Sequence, residues 1–513
     1  SYTLIMELIK QNQKYILIIF SIGFFLFLFS LGNKFVWDDE EQIVNNTLIH
    51  SISNWPLFFS GGTGSLLGIY YKPMMTLSFS LLYNIFGSHP FFFHLTSVFL
   101  HISSSVIVFL IFKKFFSDKR SLFLSLIFLV HPLYSEVVFY VANFQDVLYF
   151  FFGSLALLFS IQSKNKFLVT ILLLLSLLSK ETGIIFVLAV FYYKYWVSSA
   201  LSLSIYAFMR LGVAKIGFDT HQISAIASLS LWQRLLNIPK MAFFYIQNLF
   251  VPINLVPNQH WVIANIDFFN FWMPLLVVIL FFAILIYLTS QKNKGYYLFL
   301  AIFVLSFAMH MQIFPLDVTL SGRWFYLPMF GLLGMIGFFK PKLNIKYMES
   351  ILYIAIICFS LITFKRSFDW KNGLTLYSHD AKIVTDDFNL NNNLGVELFR
   401  IGKFDEAKVN FQKSVDLAPH WWTNWNNLGA ITEREGDLET AALYYKKAID
   451  NGNYYLAYEN YAMILIKQEK YEEAEEFVNN SLLYFPQNQT LMKLLQYIKQ
   501  QTQTTPEIEA SRK

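Results

Sequence analysis

The sequence has 513 residues, of which 55% are hydrophobic, 19% are aromatic and only 14% are charged. An ordinary soluble domain carries roughly 25% charged residues, and the apolar residues here fall into consecutive blocks, so a membrane protein is predicted. The net charge is only +5 and the basic residues lie in short loops, which argues against nucleic-acid binding. The single cysteine, Cys358, excludes a disulfide framework or a cysteine-based zinc site within this sequence.

Apolar blocks predict the membrane spans, since a helix needs about 20 apolar residues to cross the hydrocarbon. The blocks lie near residues 15–32, 90–112, 121–140, 146–163, 167–196, 197–214, 238–256, 271–290, 296–312, 323–339 and 347–364. Ser179-Lys180-Glu181 interrupts the block 167–196, which could be one long span or two short ones, and a mutual ion pair of Lys180 with Glu181 at a short helix break explains the interruption. The first block lacks a small-residue cleavage site after it and is interpreted as a retained span. We predict 11 to 13 crossings.

The positions of lysine and arginine predict the orientation, because basic loops tend to stay on the cytoplasmic side. Basic residues occur at Lys10 and Lys14, in 113–120, at Lys164 and Lys166, in 291–294, and at Lys340, Lys342 and Lys346. This pattern predicts a cytoplasmic N-terminus. The acidic first loop, the loops around 136–146 and 317–323, and the C-terminal region would then be extracytoplasmic.

The C-terminal region repeats with the tetratricopeptide period. The pair Leu-Gly at 394–395 recurs at 428–429, a step of 34 residues, and Tyr-Ala follows at 461–462 after a step of 33. Small residues recur in register at Gly395, Gly429 and Ala462 in the first helix, and at Ala407, Ala441 and Ala474 in the second. We predict an all-α protein: a polytopic transmembrane bundle (1–364), a connector (365–387), a solenoid of about three repeats plus a closing helix (388–500), and a disordered tail (501–513).

The first outward loop carries four consecutive carboxylates at 38–41. Low dielectric and crowding of like charges can raise the pKa of one carboxylate, so Asp38 or Asp39 is a candidate catalytic base. Glu40 is a candidate for binding a cation or an acceptor, meaning a substrate that receives a transferred group. The alternative is a solvated helix N-terminus, where acidic residues favour the helix dipole.

Two further groups of residues are candidates for chemistry. His131, Glu136 and Asp146 lie at the outward end of two adjacent spans, where ionisable groups cost about 2.5 to 3.5 kcal/mol each and so tend to have partners or functions. They are candidates for binding the acceptor or a cation, although for His131 alone an interfacial histidine with satisfied hydrogen bonds is the better explanation. Arg323 and Lys72 are candidates for binding a phosphate, with Trp324 and Tyr326 lining a lipid or sugar. The alternative for the latter group is the ordinary aromatic and basic belt.

The motifs, in order, resemble those of GT-C glycosyltransferases, and most closely the transmembrane and tetratricopeptide-repeat-containing O-mannosyltransferases and their bacterial relatives. The matching segments are WDDE, YYKP, FHLTSVFLH, HPLYSEVV, NFQDVL, LLSKETG and SGRWFYLP, followed by the repeats. This chain has Asn143-Phe-Gln145-Asp146 where animal members have Gly-Arg-x-Asp, so it lacks that arginine. The bacterial branch fits better, which implies a bacterial cytoplasmic membrane.

The resemblance implies transfer of a sugar from a polyprenyl-phosphate donor to a hydroxyl, with inversion. A sugar on a lipid phosphate already has a good leaving group, so one carboxylate that deprotonates the acceptor is sufficient. Asp38 or Asp39 would be that base, while Arg323 and Lys72 would neutralise the phosphate. A divalent cation is a candidate cofactor, the metal requirement is unknown, and the repeats would bind an acceptor protein or peptide.

Two alternatives remain open from the sequence. One is a non-enzymatic membrane scaffold that recruits partners through its repeats, although an anchor needs only one span. The other is a lipid-linked oligosaccharide ligase, although such enzymes rely on a large later loop that is not evident in this sequence.

Overall fold

The computed structural model describes residues 2–61, 70–162, 165–217, 225–263, 265–290, 292–339, 345–486 and 488–510. Within these residues the chain is helical, apart from loops and one antiparallel pair of two-residue strands, β1 (Asn258–Gln259) and β2 (Leu320–Ser321). The chain divides into two compact units, Ser1–Leu376 and Tyr377–Lys513. The boundary falls inside the connector predicted from composition.

The first unit is built from helices of very different lengths. They are α1 (Tyr2–Phe27), α2 (Trp55–Ser60), α3 (Pro73–Phe86), α4 (Pro90–Phe112), α5 (Asp118–Val130), α6 (Glu136–Phe139), α7 (Phe144–Gln162), α8 (Lys166–Ser179), α9 (Ile184–Tyr192), α10 (Trp196–Ala207), α11 (Leu231–Phe250), α12 (Met273–Thr289), α13 (Lys294–Ala308), α14 (Tyr326–Ile336) and α15 (Ile345–Asp369). Short 3-10 or π turns extend or connect several of them, including Glu40–Val44, Val141–Asn143, Glu181–Gly183 and Gly322–Phe325. These turns carry most of the polar residues discussed below.

Six helical stretches among the described residues are long and apolar enough to cross a membrane. They are Glu7–Gly32, Pro90–Phe112, Val141–Gln162, Trp196–Val213, Phe268–Thr289 and Glu349–Asp369. A bent pair, Asp118–Val130 with Pro132–Phe139, makes a seventh if its two parts form one span. The chain is therefore an all-α multi-pass membrane protein, but the predicted 11 to 13 crossings are not shown. Several apolar blocks form helices shorter than the roughly 20 residues that a crossing needs, such as α8, α9 and α13.

Helix α7 lies at the centre of the membrane unit. It packs against α4, α8 and α9, and most of its side chains are buried. Phe150 in its middle contacts the rings of Phe186 and Tyr326, with centroids 5.6 and 4.7 Å away. Helix α12 is the opposite case, because it is apolar but mostly exposed, as expected of a helix that faces lipid. The first turn of α7 and the residues just before it therefore sit where several helices meet.

The second unit confirms the predicted repeats. Its helices are α17 (Phe388–Arg400), α18 (Phe404–Leu417), α19 (Trp422–Arg434), α20 (Leu438–Asn451), α21 (Tyr455–Lys467), α22 (Tyr471–Tyr484) and α23 (Gln489–Ala510), and α16 (Gly373–Asp380) precedes them. A Cβ on Gly395 would come within 2.6 Å of Phe411, and one on Gly429 within 2.8 Å of Tyr445. Glycine at these positions lets the two helices of each repeat approach closely.

Two predictions extend beyond what the structure tests. Helix α23 continues to Ala510, past residue 500, where the closing helix was predicted to end, and residues 511–513 lie outside the described residues. Among the basic residues used for the orientation, Lys164, Lys340 and Lys342 also lie outside the described residues. The orientation of the chain across the membrane stays a prediction.

Candidate active site

The first loop folds back against the start of α7. Trp37 has a φ of 55°, in the left-handed region, which turns the chain sharply after the first span. Its ring stacks on Tyr140, with centroids 5.6 Å apart and 18° between the planes. The backbone N–H of Asp38 donates to the hydroxyl of Tyr140 at 3.2 Å. The acidic loop is therefore fixed to the segment that leads into α7.

Asp39 is the structural anchor of this loop. Its side chain is fully buried, and its two oxygens accept hydrogen bonds from the backbone N–H groups of Val36 at 3.0 Å and Ala142 at 2.6 Å. Burial raises the pKa of Asp39 well above its usual range, and the backbone hydrogen bonds oppose that rise only in part. Because both oxygens of Asp39 accept main-chain hydrogen bonds, its carboxylate joins two segments of the chain. It is therefore poorly placed to accept a proton from a substrate.

Asp38 is placed differently. Its side chain is exposed, and it is also hydrogen-bonded to Tyr140. Desolvation by the surrounding protein raises the pKa of Asp38, while the hydrogen bond from Tyr140 and the positive charges of Arg323 and Lys72 lower it. Of the two predicted catalytic aspartates, Asp38 is thus the accessible one. Its raised pKa makes it a stronger base than an ordinary aspartate.

Arg323, in the turn after β2, is held by two hydrogen bonds. Its Nη1 donates to the Oδ1 of Asn143 at 2.9 Å, and its main-chain N–H donates to the Oε1 of Glu136. The same Glu136 oxygen accepts from the hydroxyl of Ser321 at 2.8 Å. Glu136, which is buried, therefore fixes the backbone that carries the guanidinium.

The residue before Arg323 must be small. A Cβ on Gly322 would stand 2.2 Å from the carbonyl oxygen of Leu133, a contact that no side chain can make. Glycine therefore lets the turn approach the segment after His131 closely enough for Glu136 to reach the N–H of Arg323.

Asp38 and Arg323 are brought to one place by a single short turn. Tyr140, which contacts Asp38, and Asn143, which contacts Arg323, are joined by a backbone hydrogen bond of 3.1 Å. Both Arg323 and Lys72 act electrostatically on the Asp38 carboxylate. The first loop, the turn before α7 and the turn after β2 thus form one polar site.

Lys72 lies at the border of this site. Its ammonium is 4.4 Å from the centroid of the Tyr70 ring, and it interacts electrostatically with Arg323 as well as with Asp38. Desolvation and then the neighbouring charge of Lys180 lower the pKa of Lys72 to about 8. The site therefore contains one permanent positive charge and one that is lost near neutral to mildly alkaline pH.

The predicted ion pair between Lys180 and Glu181 is wrong. Lys180 pairs with Asp146, with 2.6 Å between Nζ and Oδ1, and Glu181 pairs with Arg210, with 2.5 Å between Oε1 and Nη1. Lys180 is in an extended conformation (φ −162°, ψ 142°), so successive side chains point in opposite directions. The break between α8 and α9 thus links α7 on one side and the π-helical turn Phe208–Val213 after α10 on the other.

His131 is engaged by the main chain. Its Nδ1 accepts from the N–H of Leu133 at 3.2 Å, so its Nε2 carries the proton and donates to the carbonyl of Leu249 at 3.0 Å. One ring nitrogen therefore stabilises the bend between α5 and α6, and the other joins this bend to the main chain of α11. Its predicted role in binding an acceptor or a cation stays a prediction without geometric support.

The remaining candidates have contacts or surroundings of their own. The hydroxyl of Tyr326 is 2.8 Å from the Nδ1 of His101, and its side chain is fully buried among aromatic rings. Trp324 is mostly buried and stacks on His310 with centroids 5.2 Å apart. Glu40 begins the π turn Glu40–Val44 and is partly exposed. A lipid-contacting role for Trp324 or Tyr326 stays a prediction.

Two residues of the site were missed from sequence. Asn143 was noted only as a departure from the animal pattern, yet it is the side chain that holds Arg323. Tyr140 had no distinguishing signal, because it belongs to an apolar and aromatic run. Among the described residues, no three His, Cys, Asp or Glu side chains are grouped as a metal ion would require, and a divalent cation stays a prediction.

Comparisons with known proteins agree with both halves of this architecture. The sequence model of the tetratricopeptide repeat family matches residues 388–420 and 455–488. Protein O-mannosyl-transferase F38B6.6 of Caenorhabditis elegans is 25% identical over 446 residues, which cover 80% of this chain and 64% of that protein. Protein O-mannosyl-transferase TMTC3 of Homo sapiens is 24% identical over 474 residues, covering 80% of this chain and 52% of that protein.

Shorter matches are more similar. Protein O-mannosyl-transferase tmtc2 of Xenopus laevis is 33% identical over 134 residues, which cover 25% of this chain and 16% of that protein. The chain spans between about half and two thirds of the length of the relatives that it matches over most of its sequence. It is a distant homologue of the TMTC protein O-mannosyl-transferases, and it carries tetratricopeptide repeats.

Proposed function

We propose that this protein is a membrane glycosyltransferase that moves a sugar from a polyprenyl-phosphate donor to a hydroxyl group of a protein acceptor. The observation that carries the proposal is the site in which Asp38 and Arg323, from two different loops, both contact the short turn from Tyr140 to Asn143. An accessible carboxylate and a fixed guanidinium are the two groups that this reaction requires. The distant homology to protein O-mannosyl-transferases supports the same class of reaction.

In this mechanism Asp38 is the base. Its carboxylate takes the proton of the acceptor hydroxyl as the oxygen attacks the anomeric carbon of the sugar. The bond between that carbon and the phosphate oxygen breaks, and its electron pair stays on the polyprenyl phosphate. Attack opposite the leaving group inverts the anomeric carbon, and no protein acid is needed because phosphate leaves as an anion.

Arg323 and Lys72 stabilise the phosphate as negative charge develops on it. Arg323 is suited to this task because Asn143 and Glu136 already fix its position, so little reorganisation accompanies the reaction. Lys72 adds a second positive charge while it is protonated. Asp39 holds the loop and does not take part in proton transfer.

The position of the site along the first span supports an extracytoplasmic location. Lys113, in the basic loop after α4, donates to the side chain of Asn12 at 2.5 Å, near the beginning of the span Glu7–Gly32. Asp38 follows the other end of that span, roughly 30 Å away at 1.5 Å per helical residue. If the basic loop is cytoplasmic, the site opens to the opposite side of the membrane.

The proposal can be tested with the full chain in lipid nanodiscs. Undecaprenyl phosphates that carry radiolabelled mannose or glucose serve as donors, and a peptide rich in serine and threonine serves as the acceptor. We expect transfer by the native chain and a loss of at least about 100-fold in Asp38→Asn. Asp118→Asn, which removes an exposed carboxylate in the basic loop, is the matched control and should keep full activity.

Three outcomes would contradict the proposal. Full transfer in Asp38→Asn would remove the base. Absence of transfer with every donor, together with retained capture of protein partners, would favour the scaffold. Transfer only from a diphosphate-linked oligosaccharide would favour the ligase.

A further inference from the structure

Trp370 lies beside the candidate active site at the end of the last span. It directly follows α15, and only 1% of it is exposed. Its ring packs on those of Phe139 and Tyr140, with centroids 6.5 and 5.8 Å away. Tyr140 is the residue whose hydroxyl accepts from the N–H of Asp38. Trp370 therefore packs against the residue that holds the acidic loop.

Two buried polar atoms near this position have no protein partner. Among the described residues, neither the indole Nε1 of Trp370 nor the Oε2 of Glu136 has a hydrogen-bond partner. Glu136 uses its other oxygen, Oε1, to accept from the N–H of Arg323 and from the hydroxyl of Ser321. Buried polar atoms without a partner are costly, so most of them bind another protein group or an ordered water. Trp370 and Glu136 thus offer one donor and one acceptor in the protein interior.

Both residues line the same small cavity, which Ser135 and Gly322 also border. The space open to the centre of a water molecule in this cavity is about 10 Å³. By this measure one water needs about 10 to 15 Å³, and a buried water typically makes about three hydrogen bonds. The two buried atoms supply two of these bonds, and the hydroxyl of Ser135 can supply a third. The size and polarity of the cavity therefore fit one water molecule rather than a larger ligand.

We propose that this cavity binds one water molecule, which accepts from the indole N–H of Trp370 and donates to the Oε2 of Glu136. Glu136 holds the main chain of Arg323, so the water joins the end of the last span to the residue proposed to bind the donor phosphate. Trp370 is then a positioning residue, which acts on Arg323 through the water and Glu136. This role in donor binding rests on the proposed function, whereas the water site itself does not.

The two kinds of contact that Trp370 makes concern different halves of the site. Its ring packs on Tyr140, which contacts Asp38, while its N–H is the group that reaches the water beside Glu136. Phenylalanine keeps an aromatic ring at this position and removes the N–H. Trp370→Phe therefore tests the water-mediated contact with little change in the packing on Tyr140.

The water site is tested by a structure of the full chain in lipid nanodiscs, at a resolution that shows ordered waters. We expect density in the cavity at a hydrogen-bonding distance, about 2.7 to 3.2 Å, from both the Nε1 of Trp370 and the Oε2 of Glu136. A direct hydrogen bond between the two side chains, or no density in the cavity at that resolution, would overturn the proposal. This measurement needs no sugar donor, so its failure is distinct from a failure of the proposed function.

Kinetics with varied lipid donor test the positioning role. We expect Trp370→Phe to raise the KM for the donor about fivefold with little change in kcat, because one water-mediated hydrogen bond is lost. In the Glu136→Ala background the same replacement should have no further effect, because Trp370 acts through Glu136. Trp232→Phe on α11 is the matched control and should keep the native KM, because its side chain is 70% exposed and does not line the cavity. A native KM in Trp370→Phe, or an equal rise in both backgrounds, would overturn the positioning role.

Discussion

Asp38 and Asp39 are adjacent in the chain, yet the side chain of Asp39 is fully buried against main-chain N–H groups while that of Asp38 is exposed. The same two-residue sequence thus provides an anchor and an accessible carboxylate. The division follows from the left-handed turn at Trp37, which directs Asp39 toward Ala142 and leaves Asp38 facing Arg323 and Lys72.

We predict that Asn substitutions at the two aspartates have different effects, on stability at Asp39 and on transfer at Asp38. In Asp39→Asn an amide N–H₂ would face the N–H of Val36 or Ala142, and we expect the free energy of unfolding to fall by about 2 kcal/mol. Asp38→Asn should unfold at the native temperature but lack transfer. Thermal unfolding in detergent, followed by tryptophan fluorescence, checks both variants, and equal destabilisation of the two would contradict the division of roles.

Glu136 is predicted to be a positioning residue that acts through Arg323. Glu136→Gln keeps an oxygen that can accept from the N–H of Arg323, so we expect its kcat/KM to stay within about threefold of the native value. Glu136→Ala removes the acceptor and should raise the KM for the lipid donor by about tenfold. Steady-state kinetics with varied donor distinguish the two. A complete loss of kcat in Glu136→Gln would instead indicate that this carboxylate transfers a proton.

The loss of activity at alkaline pH should reflect the titration of Lys72. The pKa of Lys72 is lowered to about 8, so the side chain is charged below that pH and neutral above it. We therefore expect the KM for the donor to rise as the pH increases through about 8. Lys72→Arg keeps the charge and should remove this rise, whereas Lys72→Gln should show a high KM at every pH. If the KM for the donor still rises at alkaline pH in Lys72→Arg, a group other than Lys72 is responsible for the titration.

The Lys180 and Asp146 pair is expected to matter mainly for stability. Only 14% of the Lys180 side chain and 1% of the Asp146 side chain are exposed, so removing either partner leaves a poorly solvated charge. Lys180→Met and Asp146→Leu should each destabilise the protein by about 3 kcal/mol, and the double variant by much less. Thermal unfolding of the three variants forms a double-mutant cycle. Additive effects would show that the two charges do not interact.

The repeat unit was predictable from sequence because its signal is local and periodic. Gly395 and Gly429 recur at a fixed step, and each fits against an aromatic side chain of the same repeat, Phe411 or Tyr445, where two helices approach closely.

The membrane unit was less predictable because hydropathy measures composition and not helix length. The block 167–196 is apolar enough for a span, but the extended residue Lys180 breaks it into two helices of 14 and 9 residues. The partners of Lys180 and Glu181 come from segments distant in sequence, α7 and the π-helical turn after α10, so no local pattern identifies them. Arg323 was found as a candidate, but its support by Asn143 and Glu136 follows only from the tertiary fold.

The turn from Tyr140 to Asn143 contacts both the acidic loop and the arginine loop. Helices in a bilayer tilt or shift when the local thickness of the membrane changes. Because both loops are tied to the same four residues, such a shift would carry the carboxylate of Asp38 and the guanidinium of Arg323 along as one body. The distance between these two groups would therefore change little when the surrounding membrane deforms.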